Sequence, residues 1–196
     1  MEQNNTEIVI CNSNNLTNPI HIVRPKQELV KYIEWDIIKT KLNAINDPKV
    51  KILIMTLAYT GLRVSEVINI QKQDINFNDG FMEVKHLKSR KYERRIIPIR
   101  TELNMALLMS SQYLKLPDRV FPYTRQYVHQ LTMKYFDTNP HSFRHSFAVH
   151  FLKTSKDPMS LEILRQLLGH SNINTTMEYL KIVPMQVKKA LDDVTF

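Results

Sequence analysis

Four separated segments of this 196-residue chain gather cationic and proton-bearing side chains. The first is Thr60-Gly61-Leu62-Arg63-Val64-Ser65-Glu66. The second is a basic run from Lys85 to Arg100. The third is His141-Ser142-Phe143-Arg144-His145-Ser146-Phe147-Ala148. The fourth begins Leu168-Gly169-His170 and continues through Thr175-Thr176-Met177-Glu178-Tyr179. In the basic run seven cations (Lys85, Lys88, Arg90, Lys91, Arg94, Arg95, Arg100) meet one anion, Glu93. That is a net +6 within sixteen residues of a chain whose whole formal charge is +8. A strand edge merely kept soluble would mix signs. One dominant sign points instead to contact with phosphates, although charge alone does not separate a contact that reads sequence from one that positions the nucleic acid. Taken singly, the other segments are each open to an ordinary structural reading. Arg63 can cap a helix or pair with Glu66 three residues on. His141 and Arg144 share a helical face that could be solvated. His170 follows a glycine and can belong to a helix stop. Tyr179, one of eight tyrosines, can be a core residue with a wet tip.

Together and in order, the segments resemble the catalytic domain of the tyrosine recombinases, the phage integrase family. The family's first box, Thr-Gly-Leu-Arg followed by a small residue and Glu, is matched by Thr60 to Glu66. Its second, His-x-x-Arg-His-(Ser/Thr)-Phe-Ala, is matched by His141 to Ala148. Its third, Leu-Gly-His and then Thr-Thr-x-x-Tyr, is matched with Tyr179 nine residues after His170. Order and spacing agree over roughly residues 30 to 185, and three long boxes in order are a specific signal. The family's hairpin lysine transfers best to Lys88, with Lys91 the runner-up. Larger relatives carry an N-terminal core-binding domain of about a hundred residues. The chain is similar to single-domain invertase or integrase members, a reading that Met1 and the polar start favour; a cut-down fragment is the competing reading.

The resemblance implies an α+β, mainly helical fold with a small antiparallel sheet. It also implies a site-specific recombinase that cuts and rejoins double-stranded DNA through a 3′-phosphotyrosyl intermediate, for integration, excision, inversion or resolution. Tyr179 is then the nucleophile, and Arg63 and Arg144 grip the non-bridging oxygens with paired planar bonds. His141 and His170 add donors or manage a proton, and Lys88 protonates the departing 5′ oxygen. Glu66 and His145 are supporting residues, and Lys85, Arg90, Lys91, Arg94 and Arg95 contact DNA. The bond energy is kept in the covalent link, so neither a cofactor nor a metal is implied. The implied assembly is a homo-tetramer on DNA, two dimers in a synapse, with a monomer open for the free chain. The implied location is cytoplasmic and nucleoid-associated. Two alternatives are DNA relaxation of the type IB topoisomerase kind and a non-catalytic DNA-binding regulator.

These residues need a scaffold, and the patterning describes one. Helical spacing is expected over Tyr32 to Ile45, Val50 to Thr60, Val64 to Gln71, Leu103 to Tyr113, Arg125 to Phe136, Ser142 to Lys153, Leu161 to Leu168 and Thr175 to Leu180. After the turn signal Asn78-Asp79-Gly80, strands are expected over Phe81 to His86 and Arg95 to Ile99, joined by a basic hairpin tip. Residues 1–25 read as a polar arm, 26–182 as the catalytic domain, and 183–196 as a tail helix with Met185, Val187, Leu191 and Val194 on one pattern. The resemblance suggests that this tail is exchanged between protomers; packing on its own domain is the ordinary alternative. Hydrophobic residues make up 43% of the chain, enough for a core. Three dispersed glycines cannot write a nucleotide-binding loop. The single cysteine, Cys11, excludes an intramolecular disulfide and a cysteine-rich zinc site. The polar, acidic start does not read as a signal peptide, and the most apolar run, Ile52 to Tyr59, is too short to span a membrane.

Overall fold

The computed structural model describes residues 31–85 and 94–182. In chain order these form α1 (Trp35–Asn43), α2 (Pro48–Thr60), α3 (Val64–Val67), a 3₁₀ turn (Lys72–Asp74), β1 (Ile75–Asn76), β2 (Phe81–Lys85), β3 (Arg94–Pro98), α4 (Thr101–Ser111), α5 (Arg125–Phe136), α6 (His141–Thr154), α7 (Ser160–Leu168), α8 (Ile173–Met177) and a second 3₁₀ turn (Glu178–Ile182). The expectations for the arm, the hairpin tip with Lys88, Arg90 and Lys91, and the tail lie outside the described residues.

α2 is the central helix. The Asp47 carboxylate accepts from the Lys49 and Val50 N–H groups, and Pro48 pre-sets the first turn. Its apolar residues are buried around most of the circumference: Val50, Leu53, Ile54, Met55, Leu57 and Ala58. Gly61, at φ +63°, ends it in the left-handed conformation. A Cβ there would lie 2.5 Å from Phe147 Cδ1, so this stop also lets α2 and α6 approach closely. α4 and α6 pack on α2, and α7 and the last 3₁₀ turn pack on α6. The sheet is antiparallel in the order β1-β2-β3, with Met82 opposite Ile97 and Val84 opposite Arg95. Met82, Val84 and Ile97 turn into the main core. A smaller cluster of Ala148, Val149, Leu152, Leu164, Leu168 and Tyr179 joins α6, α7 and the final turn.

Several elements differ from the sequence expectation. α1 starts at Trp35 rather than Tyr32, because the Ile33 N–H donates to Ser146 Oγ (2.7 Å) and keeps the preceding residues extended. α3 stops at Val67 rather than Gln71. The Asn69 side chain donates to the Ser65 carbonyl, and the Ile70 carbonyl accepts from Val120 N–H instead of continuing the helix. The helix expected over Thr175 to Leu180 is divided into α8 and a 3₁₀ turn that contains Tyr179. The short strand β1 was not anticipated. Two residues are too few to show a period of two.

Candidate active site

The site assembles at the ends of helices. Past Gly61 the chain turns so that Arg63 precedes the first turn of α3. The Arg63 N–H donates to Glu66 Oε2 (2.8 Å) and its Nη1 to Glu66 Oε1 (3.2 Å). Glu66 is buried, and it accepts a second, bidentate guanidinium. Arg95 reaches it through Nη1 (3.1 Å) and Nη2 (2.9 Å) and donates Nε to the Leu167 carbonyl (3.1 Å). One carboxylate therefore ties α3 to β3, and Arg95 carries the tie to α7. Burial pushes the Glu66 carboxyl up, but the Arg95 bonds and charge, with the Arg63 N–H and guanidinium, outweigh this and hold it below the usual range. Gly169, at φ +64°, makes room for Arg95, since a Cβ there would lie 2.8 Å from Nη1. Arg95, expected to contact DNA, is bound inward to Glu66, with its side chain 14% exposed. Alternation along β3 gives the reason, for Arg95 shares a face with buried Ile97, whereas Arg94 and Ile96 are exposed. Arg94 pairs with Glu83 (2.8 Å), and Lys85 lies 3.8 Å from Asp74; both cations remain exposed.

Arg144 lies one turn into α6 and is 1% exposed. Its Nη1 donates to the Gly61 carbonyl (2.9 Å) and its Nη2 to the Leu168 carbonyl (2.7 Å). These carbonyls belong to the C-terminal ends of α2 and α7, where unpaired C=O groups and the negative end of the helix dipole favour a cation. Burial, then the nearby Arg63 charge, lowers its pKa to about 10, so it stays charged at neutral pH.

The α6 N-terminus is set by Asn139, whose Oδ1 accepts from the His141 and Ser142 N–H groups. His141 and His145 lie one turn apart, edge to face, with ring centroids 4.3 Å apart. His145 Nδ1 hydrogen-bonds the Tyr179 hydroxyl at 3.0 Å. His170 Nδ1 hydrogen-bonds Thr176 Oγ1 (2.9 Å), and Arg165 Nη1 donates to the His170 carbonyl (2.8 Å). Burial, followed by neighbouring cations, lowers all three histidines; His145 and His170 fall to about 4, so both are neutral at pH 7. Tyr179 is 4% exposed, and burial raises its phenol while Arg144 and Arg63 pull it back down. Arg63, His141, Arg144, His145, His170 and Tyr179 thus form one electrostatic neighbourhood. Thr176 stood inside a recognised box without a role, and nothing in the sequence around Arg165 singled it out. Two open grooves flank the cluster. One, of about 830 Å³, is lined by Arg94, Arg165 and His170 among others; the other, of about 640 Å³, by Arg63, Arg125, His129 and His141 among others. Neither has a carboxylate among its described lining residues.

The family model described as the phage integrase family matches residues 32–184, most of the chain. The chain belongs to that family. It is 30% identical over 184 residues to the tyrosine recombinase XerA of Pyrococcus horikoshii, covering 85% of this chain and 62% of that protein. Among solved structures, the chain is similar to XerA recombinase at 24% identity and a TM-score of 0.68, covering 93% of this chain and 71% of that one. It is also similar to the catalytic domain of bacteriophage HP1 integrase at 22% identity and a TM-score of 0.61, covering 84% of this chain and 95% of that one. At these identities the likeness concerns the fold, which is that of an integrase-family catalytic domain: mainly helical, with a small antiparallel sheet. The chain spans roughly half to two-thirds of the length of the curated relatives it matches. Among the described residues no helix is long and apolar enough to cross a membrane.

Proposed function

We propose that this integrase-family chain cuts and rejoins double-stranded DNA at specific sites, with Tyr179 as the nucleophile that forms a 3′-phosphotyrosyl link. The observation that carries the reading is the confluence at Tyr179: its hydroxyl is hydrogen-bonded to His145 of α6, within the field of both Arg63 and Arg144. A phosphodiester repels nucleophiles, and its pentacoordinate transition state gathers more charge on the non-bridging oxygens. Fixed guanidiniums are suited to that charge and typically contribute a few kcal/mol each. Arg144 has five N–H groups, of which the two helix-end carbonyls engage one each on Nη1 and Nη2. Arg63 and His141 line the groove beside it, and His170 lines the other, a course suited to a DNA backbone. Lys88 is assigned the general acid on the resemblance, with Lys91 the alternative; the exposed Lys85 and Arg94 flank that hairpin as phosphate contacts. The curated relatives bear the name tyrosine recombinase, and one structural neighbour is XerH site-specific recombinase bound to its difH substrate, which favours DNA as the partner here. The same proposal takes residues 26–182 as the catalytic domain, assembly as two dimers on DNA, the 183–196 tail as the link between protomers, and cytoplasmic, nucleoid-associated DNA as the setting.

The test is covalent capture on a suicide DNA substrate, read on a denaturing gel. Wild type yields a shifted protein–DNA band, and Tyr179→Phe yields none while still retarding DNA on a native gel. A shifted band that persists in Tyr179→Phe overturns the assignment.

A further inference from the structure

We propose that His145 accepts the phenol proton of Tyr179 as the tyrosine attacks, and returns it when the strand is rejoined. This rests on Tyr179 being the nucleophile, and it gives His145 a proton-transfer role beyond the supporting one that the resemblance implies.

The argument is geometric first. A general base must lie within hydrogen-bond reach of the proton it takes. His145 Nδ1 is 3.0 Å from the Tyr179 hydroxyl, and among the described residues that is the hydroxyl's hydrogen bond to a histidine. The rival bases are placed otherwise. His170 turns its Nδ1 to Thr176 Oγ1. His141 packs edge to face with the His145 ring, one turn nearer the helix start. Arg144 is a cation and has no lone pair to offer. In the Nε2–H tautomer the bare Nδ1 of His145 is the acceptor, and burial with neighbouring positive charge keeps the ring neutral and so available.

The charges around the ring make the transfer depend on bound DNA. From its own helix His145 faces His141 and Arg144, and from the 3₁₀ turn packed on that helix it faces Tyr179. Arg63 acts on His141 and Tyr179 from the junction of α2 and α3. Glu178 and Lys181 of the turn pair with each other, as do Glu162 and Arg165 of α7. The free site therefore disfavours imidazolium. A phosphodiester entering between the guanidiniums brings a negative charge, and the transition state brings more, so the basicity of His145 rises as the proton must move. In the step itself the Tyr179 O–H bond breaks and its proton passes to Nδ1. The phenol oxygen bonds to phosphorus, the bond from phosphorus to the 5′ oxygen breaks, and that oxygen takes a proton from the general acid. Rejoining runs the same transfers backwards, with His145 handing the proton to the departing phenolate.

The test is single-turnover cleavage of a suicide substrate from pH 6 to 9 by wild type, His145→Asn and His145→Ala, each first checked for native-gel DNA binding. Asn retains an acceptor near the Nδ1 position but takes up no proton. His145→Asn is expected to cleave about 100-fold more slowly at pH 7 and to speed up about tenfold per pH unit, as the phenol must ionise unaided. A substrate with a 5′-bridging sulfur, whose thiolate leaves without a proton, is expected not to restore the rate. Added imidazole is expected to restore His145→Ala at least partly. A wild-type rate and pH profile in His145→Asn overturns the proposal. So does a slowed variant with an unchanged pH profile and no imidazole rescue, which marks a packing role. In either case the Tyr179 reading stands as long as Tyr179→Phe forms no adduct.

Discussion

Glu66→Gln probes the tie that holds the cationic site together. The carboxylate is 3% exposed at its side chain and accepts four bonds: two from Arg95, one from the Arg63 guanidinium and one from the Arg63 N–H. Glutamine keeps the volume but replaces one oxygen with an NH₂ donor, so donors face donors on one side. The two guanidiniums respond differently to the loss of the charge. Arg63 is 33% exposed and regains water, whereas Arg95 at 14% does not. Breaking a buried pair by removing one partner costs about 3–5 kcal/mol, and the exposure of Arg63 places this case near about 3 kcal/mol. For a chain of this size that corresponds to a fall in Tm of roughly 6–12 °C. Urea unfolding of wild type, Glu66→Gln, Arg95→Met and the double variant measures it. The double variant is expected to be at least about 1 kcal/mol more stable than the sum of the single losses predicts, because no uncompensated buried charge remains. A Glu66→Gln loss under about 1 kcal/mol, or strictly additive losses, would refute the view that Glu66 compensates buried positive charge.

Gly61→Ala is expected to destabilise by about 3 kcal/mol, from the left-handed backbone and the contact with Phe147, whereas Gly80→Ala, whose Cβ meets only the Ile99 carbonyl at 3.6 Å, is expected to cost about 1 kcal/mol; urea midpoints compare the two. Acid should weaken the fold through His170. Its pKa is lowered to about 4 from 6.5, so its contribution is complete above pH 6.5 and is lost as pH falls through about 4. The loss is about 3 kcal/mol, and thermal melts at pH 7 and 4.5 should show a smaller difference in His170→Asn. Arg144→Lys is expected to lose covalent DNA capture and to destabilise the fold, since one ammonium cannot serve the Gly61 and Leu168 carbonyls in the geometry of a planar fork; trapping gels and melts read the two effects separately. Sulfate or DNA should raise Tm at constant ionic strength, because an anion relieves repulsion between Arg63 and Arg144; an unchanged Tm in both would count against a preformed phosphate site.

The sequence was most legible where local rules and tertiary packing agree. α5 has its expected bounds because Thr124 caps its start and Asp137, in the left-handed conformation, ends it. The expected strands are displaced by a residue at most at their described ends, since Met82, Val84 and Ile97 bury one face of the hairpin. Expectations slipped where a distant partner decided: Ser146, 113 positions from Ile33, sets where α1 begins.

The candidate site divides along the same line, for a chemical reason. Its side chains are residue types, and types at fixed spacings can be read: the arginines, histidines and tyrosine stand in contiguous boxes. The groups that hold them are largely backbone. Arg144 is seated on two carbonyls, 83 and 24 positions away, and a carbonyl has no letter of its own. Those two residues nonetheless fall within recognised boxes, Gly61 in Thr-Gly-Leu-Arg and Leu168 in Leu-Gly-His. In both boxes a glycine serves as the left-handed stop, and each stop leaves a helix-end carbonyl facing one guanidinium. The boxes thus specify the socket of Arg144 as well as the reactive groups, through helix termination. Arg95 shows the opposite case. Surrounded by cations, it reads as a DNA contact until strand alternation is applied, and that puts it on the face of Ile97, beneath Glu66.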